Sequence, residues 1–344
     1  MNDTGFRVPY STLCEQVTLA LVKAGVPSEI AALEAEVMAE ADLLGVPSHG
    51  VRMLPGLLKA LHDGRANCVP DIHLKSEFGA TCMLDGDNGP GRYISCRAME
   101  EAVQRARQFG VGVCLATRTT HWGRAHAYAS RAAKQGMVGI CTTNGIPCMA
   151  VWGATGKVIG NNPLAIGIPR NESAAPMVLD MAMSQAAVGK VATWLREGRA
   201  IPAGWGVGTD GKPSSDPQAI LAGAVLPFGG HKGAGLALMM EILTAGLAGM
   251  AFGNEIEAND RSGLDPGSSK LFIALNPEAF GGASVFAHRV DDFLSYLNES
   301  ASTTAPFTWP GERGWNERTE NLLLGVPLHS EIVKQLEDAG VVLS

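Results

Sequence analysis

The stretch that decides the fold class is VGVCLATRTTHWGRAHAYASRAAKQGMVGIC, residues 111–141. Its two ends, Val111–Ala116 and Val138–Cys141, are short apolar runs that are typical of buried strands. Between them, Arg124–Gln135 alternates small apolar and polar residues at the spacing of an amphipathic helix. A strand, a helix and a second strand in succession predict an α/β domain.

The alternation of strands and helices extends outward from this stretch. The apolar run Cys82–Leu84 and the amphipathic Tyr93–Phe109 precede it, and the strand-like Leu271–Leu275 follows much later. The first seventy residues and the segment Glu331–Ala339 show helical spacing instead. We therefore predict an α/β domain at residues 76–289, and a discontinuous helical domain built from both chain ends, residues 1–75 and 290–344.

Two segments of unusual composition need a structural interpretation. GAGLALMMEILTAGLAGMAF, residues 233–252, is long and apolar enough to span a membrane, but it stands alone without an aromatic belt. We predict a helix buried in the core.

Residues 197–227 are rich in glycine, proline, serine and aspartate, a composition that predicts an irregular excursion. Within them, GVGTDG (206–211) matches the dinucleotide-binding glycine pattern without a flanking strand or helix, so we interpret it as a turn and predict no Rossmann domain.

The composition of the chain argues against several classes of protein. Of 344 residues, 46% are hydrophobic and 18% charged, which is enough apolar sequence for a sizeable core. Acidic residues outnumber basic ones by 34 to 27 and no basic run occurs, so we expect no nucleic-acid partner. The start lacks a secretory pattern, and the seven cysteines are scattered without a CxxC pair. We therefore expect a cytoplasmic protein with no membrane partner, disulfide framework or metal site.

Three histidines beside polar or glycine-rich neighbours are candidates for chemistry. His49 follows Ser48, His121 lies at a predicted strand-to-helix junction, and His231 precedes Lys232 in the motif PFGGHKG. A histidine can supply a proton near neutral pH, and Arg52, close to His49 in sequence, can hold a carboxylate. A lysine at a glycine-rich helix start suits a cofactor phosphate. Spacing alone also allows structural histidines and an ordinary helix entry.

Eight motifs, in order along nearly the whole chain, carry a resemblance to one known family. They are SHG (48–50), DGDNGPG (85–91), THWGRAHAYA (120–129), GNNPLAIGIPR (160–170), LDMAMSQAAVGK (179–190), the IPAGW…DGKPSSDP loop (201–217), LPFGGHKGAGLALMMEIL (226–243) and PGER (310–313). Together they resemble the malate/L-lactate dehydrogenase family, which includes ureidoglycolate dehydrogenase, sulfolactate dehydrogenase, diketogulonate reductase and the piperideine-2-carboxylate reductases.

The resemblance implies a fold, a reaction and a set of contacts. It implies a non-Rossmann, mixed and largely antiparallel sheet that binds NAD or NADP in the 76–289 domain. It also implies a homodimer that interconverts a small 2-oxo acid and its 2-hydroxy acid. The matching catalytic residues are Ser48, His49 and His121, and the two histidines compete for the acid/base role. The expected substrate contacts are Arg52, Asn161 and Lys190. The matching cofactor contacts are His121, Trp122, Gly123, Arg124, Ala125, Asp180, Met181, Ala182, His231, Lys232, Gly311, Glu312 and Arg313.

Two departures from the family pattern bear on the substrate. Many members have arginine four residues after the SHG histidine, where this chain has Met53, with Arg52 one place earlier. The cyclic ketimine reductases have aspartate where this chain has Lys190, and a lysine repels a protonated imine. A carbonyl or hydroxyl substrate is therefore favoured, and a cyclic ketimine is the alternative. A non-enzymatic nucleotide-binding or scaffold protein is a third hypothesis, and the joint presence of His49, His121 and Lys232 argues against it.

Overall fold

The computed structural model describes residues 6–171, 174–259, 267–302 and 306–343. The strands are β1 (Phe6–Val8), β2 (His73–Phe78), β3 (Thr81–Gly89), β4 (Val111–Thr119), β5 (Val138–Thr143), β6 (Leu164–Ile168), β7 (Met177–Met181), β8 (Gly206–Val207), β9 (Pro213–Ser214), β10 (Ala224–Val225), β11 (Lys270–Leu275) and β12 (Val326–Leu328). The helices are α1 (Tyr10–Lys23), α2 (Ser28–Leu43), α3 (Leu54–His62), α4 (Gly91–Phe109), α5 (His126–Lys134), α6 (Val188–Arg196), α7 (Pro217–Ala222), α8 (His231–Glu241), α9 (Gly253–Asn259), α10 (Ala283–Glu299), α11 (Glu312–Leu324) and α12 (Ser330–Asp338).

One seven-stranded sheet forms the centre of the molecule. Its strand order is β2-β3-β4-β11-β5-β6-β7, and β3 with β4 is the parallel pair while the other neighbours run antiparallel. The predicted mixed sheet is therefore confirmed. The strand β11 lies between β4 and β5, so the strand–helix–strand unit of residues 111–143 is held together by a strand that comes much later in the sequence.

Glycines in the strands let helices approach the sheet closely. A Cβ on Gly112 in β4 would overlap the carbonyl oxygen of Ala102 in α4, and a Cβ on Gly167 in β6 would overlap that of Ala129 in α5. The buried faces of α4 and α5 belong to one hydrophobic core, which also contains Phe272 in the central strand. That core extends into the helices of both chain ends, and β1 pairs with β12. The two ends therefore meet, while the domain boundaries at 75 and 290 stay a prediction.

The prediction of a buried core helix at residues 233–252 is wrong. The helix α8 ends at Glu241 and continues as a π-helical turn over Ile242–Gly246. Along this segment, large apolar side chains are 40–63% exposed: Leu236, Leu238, Met239, Ile242, Leu243 and Leu247. The segment therefore covers the core with one face and presents an apolar face outward. Within the described residues, no helix combines the length and the apolar character that a membrane crossing requires.

The excursion at 197–227 is more ordered than predicted. It contains the small sheet β10-β8-β9 and the short helix α7, which Asp216 caps by accepting a hydrogen bond from the backbone N–H of Gln218. Strands of two residues are too short to leave an alternating pattern in the sequence. The GVGTDG segment forms β8 and the turn that follows it, in which the Gly211 N–H donates to the Gly208 carbonyl. The interpretation of this motif as a turn is confirmed for residues 208–211, while Gly206 and Val207 form a strand instead.

Candidate active site

Three adjoining cavities lie between the helical chain ends and the sheet. A cavity of about 1000 Å³, the larger cavity, and one of about 510 Å³, the smaller cavity, share His49, His121 and Asn161 on their walls. A third, of about 390 Å³, adjoins the smaller one at Arg124, Asp180 and Arg313. The two histidines therefore stand at the junction of two chambers, which is the position for groups that act on two ligands at once.

The loop that carries His49 is held by a buried carboxyl group. Two 3-10 turns, Pro47–His49 and Val51–Met53, follow α2, and the Asp42 carboxyl at the end of that helix accepts a hydrogen bond of 2.7 Å from the Val51 N–H. A Cβ at Gly50 would overlap this carboxyl, so the loop requires glycine there. Burial raises the pKa of Asp42 to about 7. Sequence reasoning missed Asp42.

His49 has a neighbour that allows both of its protonation states. Its Nδ1 lies 2.9 Å from the Ser48 Oγ, and a hydroxyl can either donate to a neutral ring nitrogen or accept from a protonated one. Burial lowers the pKa of His49, and the nearby Asp180 carboxylate opposes that shift. The ring stands 6.1 Å, centroid to centroid, from that of His121. His49 can therefore exchange a proton without losing its partner.

His121 is held in one neutral tautomer. The backbone N–H of Gly123 donates to its Nδ1 over 3.0 Å, which places the hydrogen of the neutral ring on Nε2. A charged ring would carry a second hydrogen on Nδ1, directed against the N–H of Gly123. Burial, followed by the charges of Arg92, His49 and Lys270, lowers the pKa of His121 well below its ordinary value. His121 is thus suited to donate a hydrogen bond rather than to release a proton.

The smaller cavity has polar groups that fit a nicotinamide cofactor. The Arg124 Nε donates to Asp180 over 2.9 Å, and the backbone N–H of His126 donates to the same carboxylate oxygen. The Arg124 Nη1 is buried and has no hydrogen-bond partner among the described residues. An unpartnered donor on a cavity wall suits the ribose, phosphate or amide oxygens of such a cofactor. Also on this wall are the predicted contacts Trp122, Gly123, Ala125 and Ala182.

The larger cavity has a cationic wall. Among the described residues that line it there is no carboxylate, while the cations are Arg52, Arg92, Lys190 and Arg313. The Lys190 Nζ lies 5.2 Å from the ring centroid of Trp194 and 4.9 Å from that of Trp205, so two aromatic faces restrain its ammonium group. This cavity therefore favours an anionic ligand. Sequence reasoning missed Arg92, since an arginine in an amphipathic helix is usually a surface residue.

Asn161 is supported by the single acidic residue of the apolar segment. The neighbouring Asn162 has a positive φ of 29° and donates from Nδ2 to the Glu241 carboxylate over 2.7 Å. Glu241 also accepts from the Asn144 side chain and from the Gly253 N–H, at 3.2 and 2.7 Å. The buried carboxylate therefore fixes the loop that directs Asn161 toward both chambers.

Some predicted contacts lie outside the three cavities. His231 and Lys232 begin α8, where the His231 ring meets the edge of Trp152 at 6.0 Å, and neither lines a chamber. Met181 ends β7 and is likewise absent from the walls. Glu312 accepts from the Trp309 N–H at the start of its own helix, whereas Gly311 lines the third cavity. The structure thus brings together His49, His121 and most of the other predicted contacts, but not His231.

Sequence comparison places the chain among known enzymes. The model of the malate/L-lactate dehydrogenase family matches residues 8–337. The L-sulfolactate dehydrogenase of Methanocaldococcus jannaschii is 42% identical over 282 residues, which are 81% of this chain and 80% of that protein. The malate dehydrogenase of Pyrococcus horikoshii is 31% identical over 348 residues, covering 98% of this chain and 96% of that one.

Structural comparison agrees with the sequence comparison. The sulfolactate dehydrogenase structure from Methanocaldococcus jannaschii superposes with a TM-score of 0.91 at 35% identity and covers 98% of both chains. The Δ1-piperideine-2-carboxylate reductase structure from Pseudomonas syringae has a TM-score of 0.89 at 31% identity, covering 97% of this chain and all of the other. The chain therefore belongs to the malate/L-lactate dehydrogenase family and is a nicotinamide-dependent oxidoreductase that acts on CH–OH groups.

Proposed function

We propose that the protein interconverts a small anionic 2-oxo acid and its 2-hydroxy acid with NAD or NADP, the cofactor in the smaller cavity and the acid in the larger one. The observation that carries the proposal is the cationic wall of the larger cavity, which meets the smaller one at His49 and His121. Relatives named for sulfolactate and malate support it, because both compounds are 2-hydroxy acids that carry a second anionic group.

The two histidines have different roles in this proposal. His49 gives its proton to the carbonyl oxygen during reduction and takes it back during oxidation, since Ser48 accommodates both forms of the ring. His121 stays neutral and donates a hydrogen bond from Nε2 to the same oxygen, which stabilises the negative charge that develops there. Arg52, Asn161 and Lys190 contact the acid. When bound, the reduced nicotinamide supplies the hydride.

A substrate panel tests the proposed function. Pyruvate, oxaloacetate and 3-sulfopyruvate would each be offered with NADH and with NADPH, and the oxidation of the cofactor followed by its absorbance. We expect at least one doubly charged 2-oxo acid to be reduced faster than pyruvate, because more than one cation lines the larger cavity. Failure to reduce any 2-oxo acid, or to oxidise any 2-hydroxy acid, would contradict the proposal.

Substitution of Lys190 tests whether this residue makes the protein prefer a carbonyl substrate to an imine. An imine is reduced in its protonated form, which a lysine repels and an aspartate attracts. We expect Lys190→Asp to shift the ratio of kcat/KM values from 2-oxo acids toward Δ1-piperideine-2-carboxylate by about 1.4–3 kcal/mol, one to two pKa units' worth of stabilisation. Lys190→Gln, which removes the charge without reversing it, should give a smaller shift. A wild-type protein that prefers the cyclic imine to every 2-oxo acid would show this assignment to be wrong.

Lys232, at the glycine-rich start of α8, is proposed with His231 to contact a cofactor phosphate from outside the three cavities. Lys232→Ala should raise the Kd for the cofactor, and the loss should be largest at low salt, where a charge–phosphate contact is least screened. Titration calorimetry at two salt concentrations measures this. Lys75→Ala, on the exposed strand β2, is the matched control and should leave the Kd unchanged. Equal Kd values for the wild type and Lys232→Ala at low salt would contradict the proposed contact between Lys232 and a cofactor phosphate.

The outward apolar face of α8 and its π-helical turn supports the proposal of a homodimer. Contiguous exposed apolar side chains commonly mark a surface that another protein covers. We expect light scattering to give twice the chain mass of 36.0 kDa. A charged substitution on this face, Met239→Glu, should shift the protein toward the monomer.

We also propose that the protein acts in the cytoplasm, where its seven cysteines stay reduced.

A further inference from the structure

Arg92 lies in the first turn of α4, on the wall of the larger cavity, and is only 2% exposed. This position is unfavourable for a cation in two ways. Burial removes the charge from water, and the start of a helix favours negative rather than positive charge. A residue that lowers stability on both counts while lining a cavity is a candidate for ligand binding.

The guanidinium group of Arg92 has one satisfied side and one poorly satisfied side. Its Nη1 donates to the Glu34 carboxylate over 2.9 Å. Its Nη2 is 3.4 Å from the sulfur of Met53, a weak acceptor, and its buried Nε has no partner among the described residues. In arginine, Nε and Nη2 form one edge of the planar group, which can pair with both oxygens of a carboxylate. That edge lacks a strong acceptor here.

The surroundings of Arg92 hold its guanidinium group in place. Glu34 is fully buried and also accepts from the Tyr93 N–H over 2.9 Å, so the carboxylate that holds Nη1 is itself fixed. A Cβ at Gly123 would lie 2.7 Å from Nε, so this position of the guanidinium group requires glycine at residue 123. The charge of Arg92 also contributes to the lowered pKa values of His49 and His121. Arg92 therefore stands close to the groups that act on the carbonyl oxygen.

Building on the proposed 2-oxo acid chemistry, we propose that Arg92 binds the substrate carboxylate through Nε and Nη2, beside Met53, while Glu34 orients the guanidinium group. This assignment differs from the sequence-based expectation, in which the neighbouring Arg52 binds the carboxylate. Arg52 is exposed, so an ion pair there is weakened by water and salt. A buried, oriented guanidinium binds a carboxylate more strongly and with a defined direction.

The test compares the same substitution at the two arginines. Arg92→Lys keeps a cation beside Glu34 but removes the Nε–Nη2 edge. We expect the KM for the best 2-oxo acid of the panel to rise about 10- to 100-fold, the worth of hydrogen bonds to a charged group. The effect on kcat should be smaller, and the Kd for the cofactor, from fluorescence titration, should stay unchanged. Arg52→Lys should raise KM less than Arg92→Lys does, because an exposed ion pair contributes less. Arg107→Lys, at an exposed position in the last turn of α4 and outside the three cavities, is the matched control and should leave KM unchanged.

A carboxamide analogue gives a second readout. Wild-type protein should prefer pyruvate to pyruvamide, in which a neutral amide replaces the carboxylate, and Arg92→Lys should lose most of this preference. An unchanged preference and KM in a folded Arg92→Lys protein would overturn the role of Arg92, as would a large rise in KM in Arg52→Lys alone. A wild-type protein inactive on every 2-oxo acid would instead contradict the proposed function, and this inference with it.

A second variant keeps the inference testable if Arg92→Lys does not fold. Met53→Glu places a carboxylate next to Nη2, where it would occupy the edge that the substrate requires, and it leaves the Arg92–Glu34 pair in place. We expect Met53→Glu to raise KM at least as much as Arg92→Lys does. Met53→Gln, of equal length and without charge, is its control and should have a small effect. A Met53→Glu protein with the KM of the wild type would overturn the inference.

Discussion

Replacing His49 with Asn should lower kcat for 2-oxo acid reduction by about 10²–10⁴-fold, the usual contribution of general acid–base catalysis. Asparagine keeps a polar group of similar size next to Ser48 but cannot exchange a proton near neutral pH. Cofactor binding should survive, because His49 is not among the predicted cofactor contacts, most of which line the smaller cavity. Steady-state kinetics in both directions, together with cofactor titration, measure the two effects separately.

The matching substitution at His121 distinguishes the two histidines. We expect His121→Asn to lower kcat less than His49→Asn does, since the Asn side chain can still donate a hydrogen bond. Reduction by the wild type should slow as the pH rises through the pKa of His49, which lies below the ordinary 6.5, whereas oxidation should gain over the same range. Near-normal kcat in His49→Asn, combined with loss of activity in His121→Asn, would move the acid/base role to His121.

Asp42→Asn should change the dependence of stability on pH. In the folded protein the Asp42 carboxyl keeps its proton up to about pH 7, whereas in the unfolded chain it ionises near 3.8. The folded state then binds more protons between these values, so this group makes the protein less stable as the pH rises from about 4 to about 7. A shift of about three units corresponds to roughly 4 kcal/mol. The asparagine keeps the acceptor for the Val51 N–H but cannot ionise.

Chemical unfolding at several pH values would measure this difference. We expect Asp42→Asn to gain stability relative to the wild type as the pH rises and to retain catalytic activity, because the loop that carries His49 keeps its hydrogen bond. Asp71→Asn is the control, since that carboxylate is exposed and its substitution should leave the pH dependence unaltered. Parallel curves for the wild type and Asp42→Asn would show that folding does not raise the pKa of the buried carboxyl.

The strands and helices of the centre could be predicted because each has its own local pattern. Residues 111–116 and 138–141 lie in β4 and β5, and the predicted helix at 93–109 is α4 with two residues added at its start. The placement of β11 between β4 and β5 could not be predicted from such patterns, because strand pairing over a long separation leaves no local trace. The outward face of α8 was missed since an apolar run is equally consistent with a core and with a covered surface.

In the candidate site, too, some residues could be predicted from the sequence and others could not. His49 and His121 stood out because histidine among glycines and hydroxyls is uncommon. The order of the motifs then indicated the family, and with it the roles expected of the two histidines. Asp42 and Arg92 escaped notice because each occupies a helix whose charged residues are expected to face water. Only the folded arrangement shows that Asp42 fixes the loop of His49, and that Arg92 pairs with Glu34 from another helix.

The late position of β11 has a consequence for synthesis on the ribosome. At about 5–20 residues per second, roughly 6–25 s separate the end of β5 at residue 143 from the start of β11 at residue 270. Throughout that interval β4 and β5 have been made, but the strand that pairs with both is absent. The facing edges of these two strands are then free to pair with the wrong partner, including another nascent chain on the same messenger. Translation that stalls between these residues should therefore yield aggregates, which a chaperone that shields strand edges would suppress.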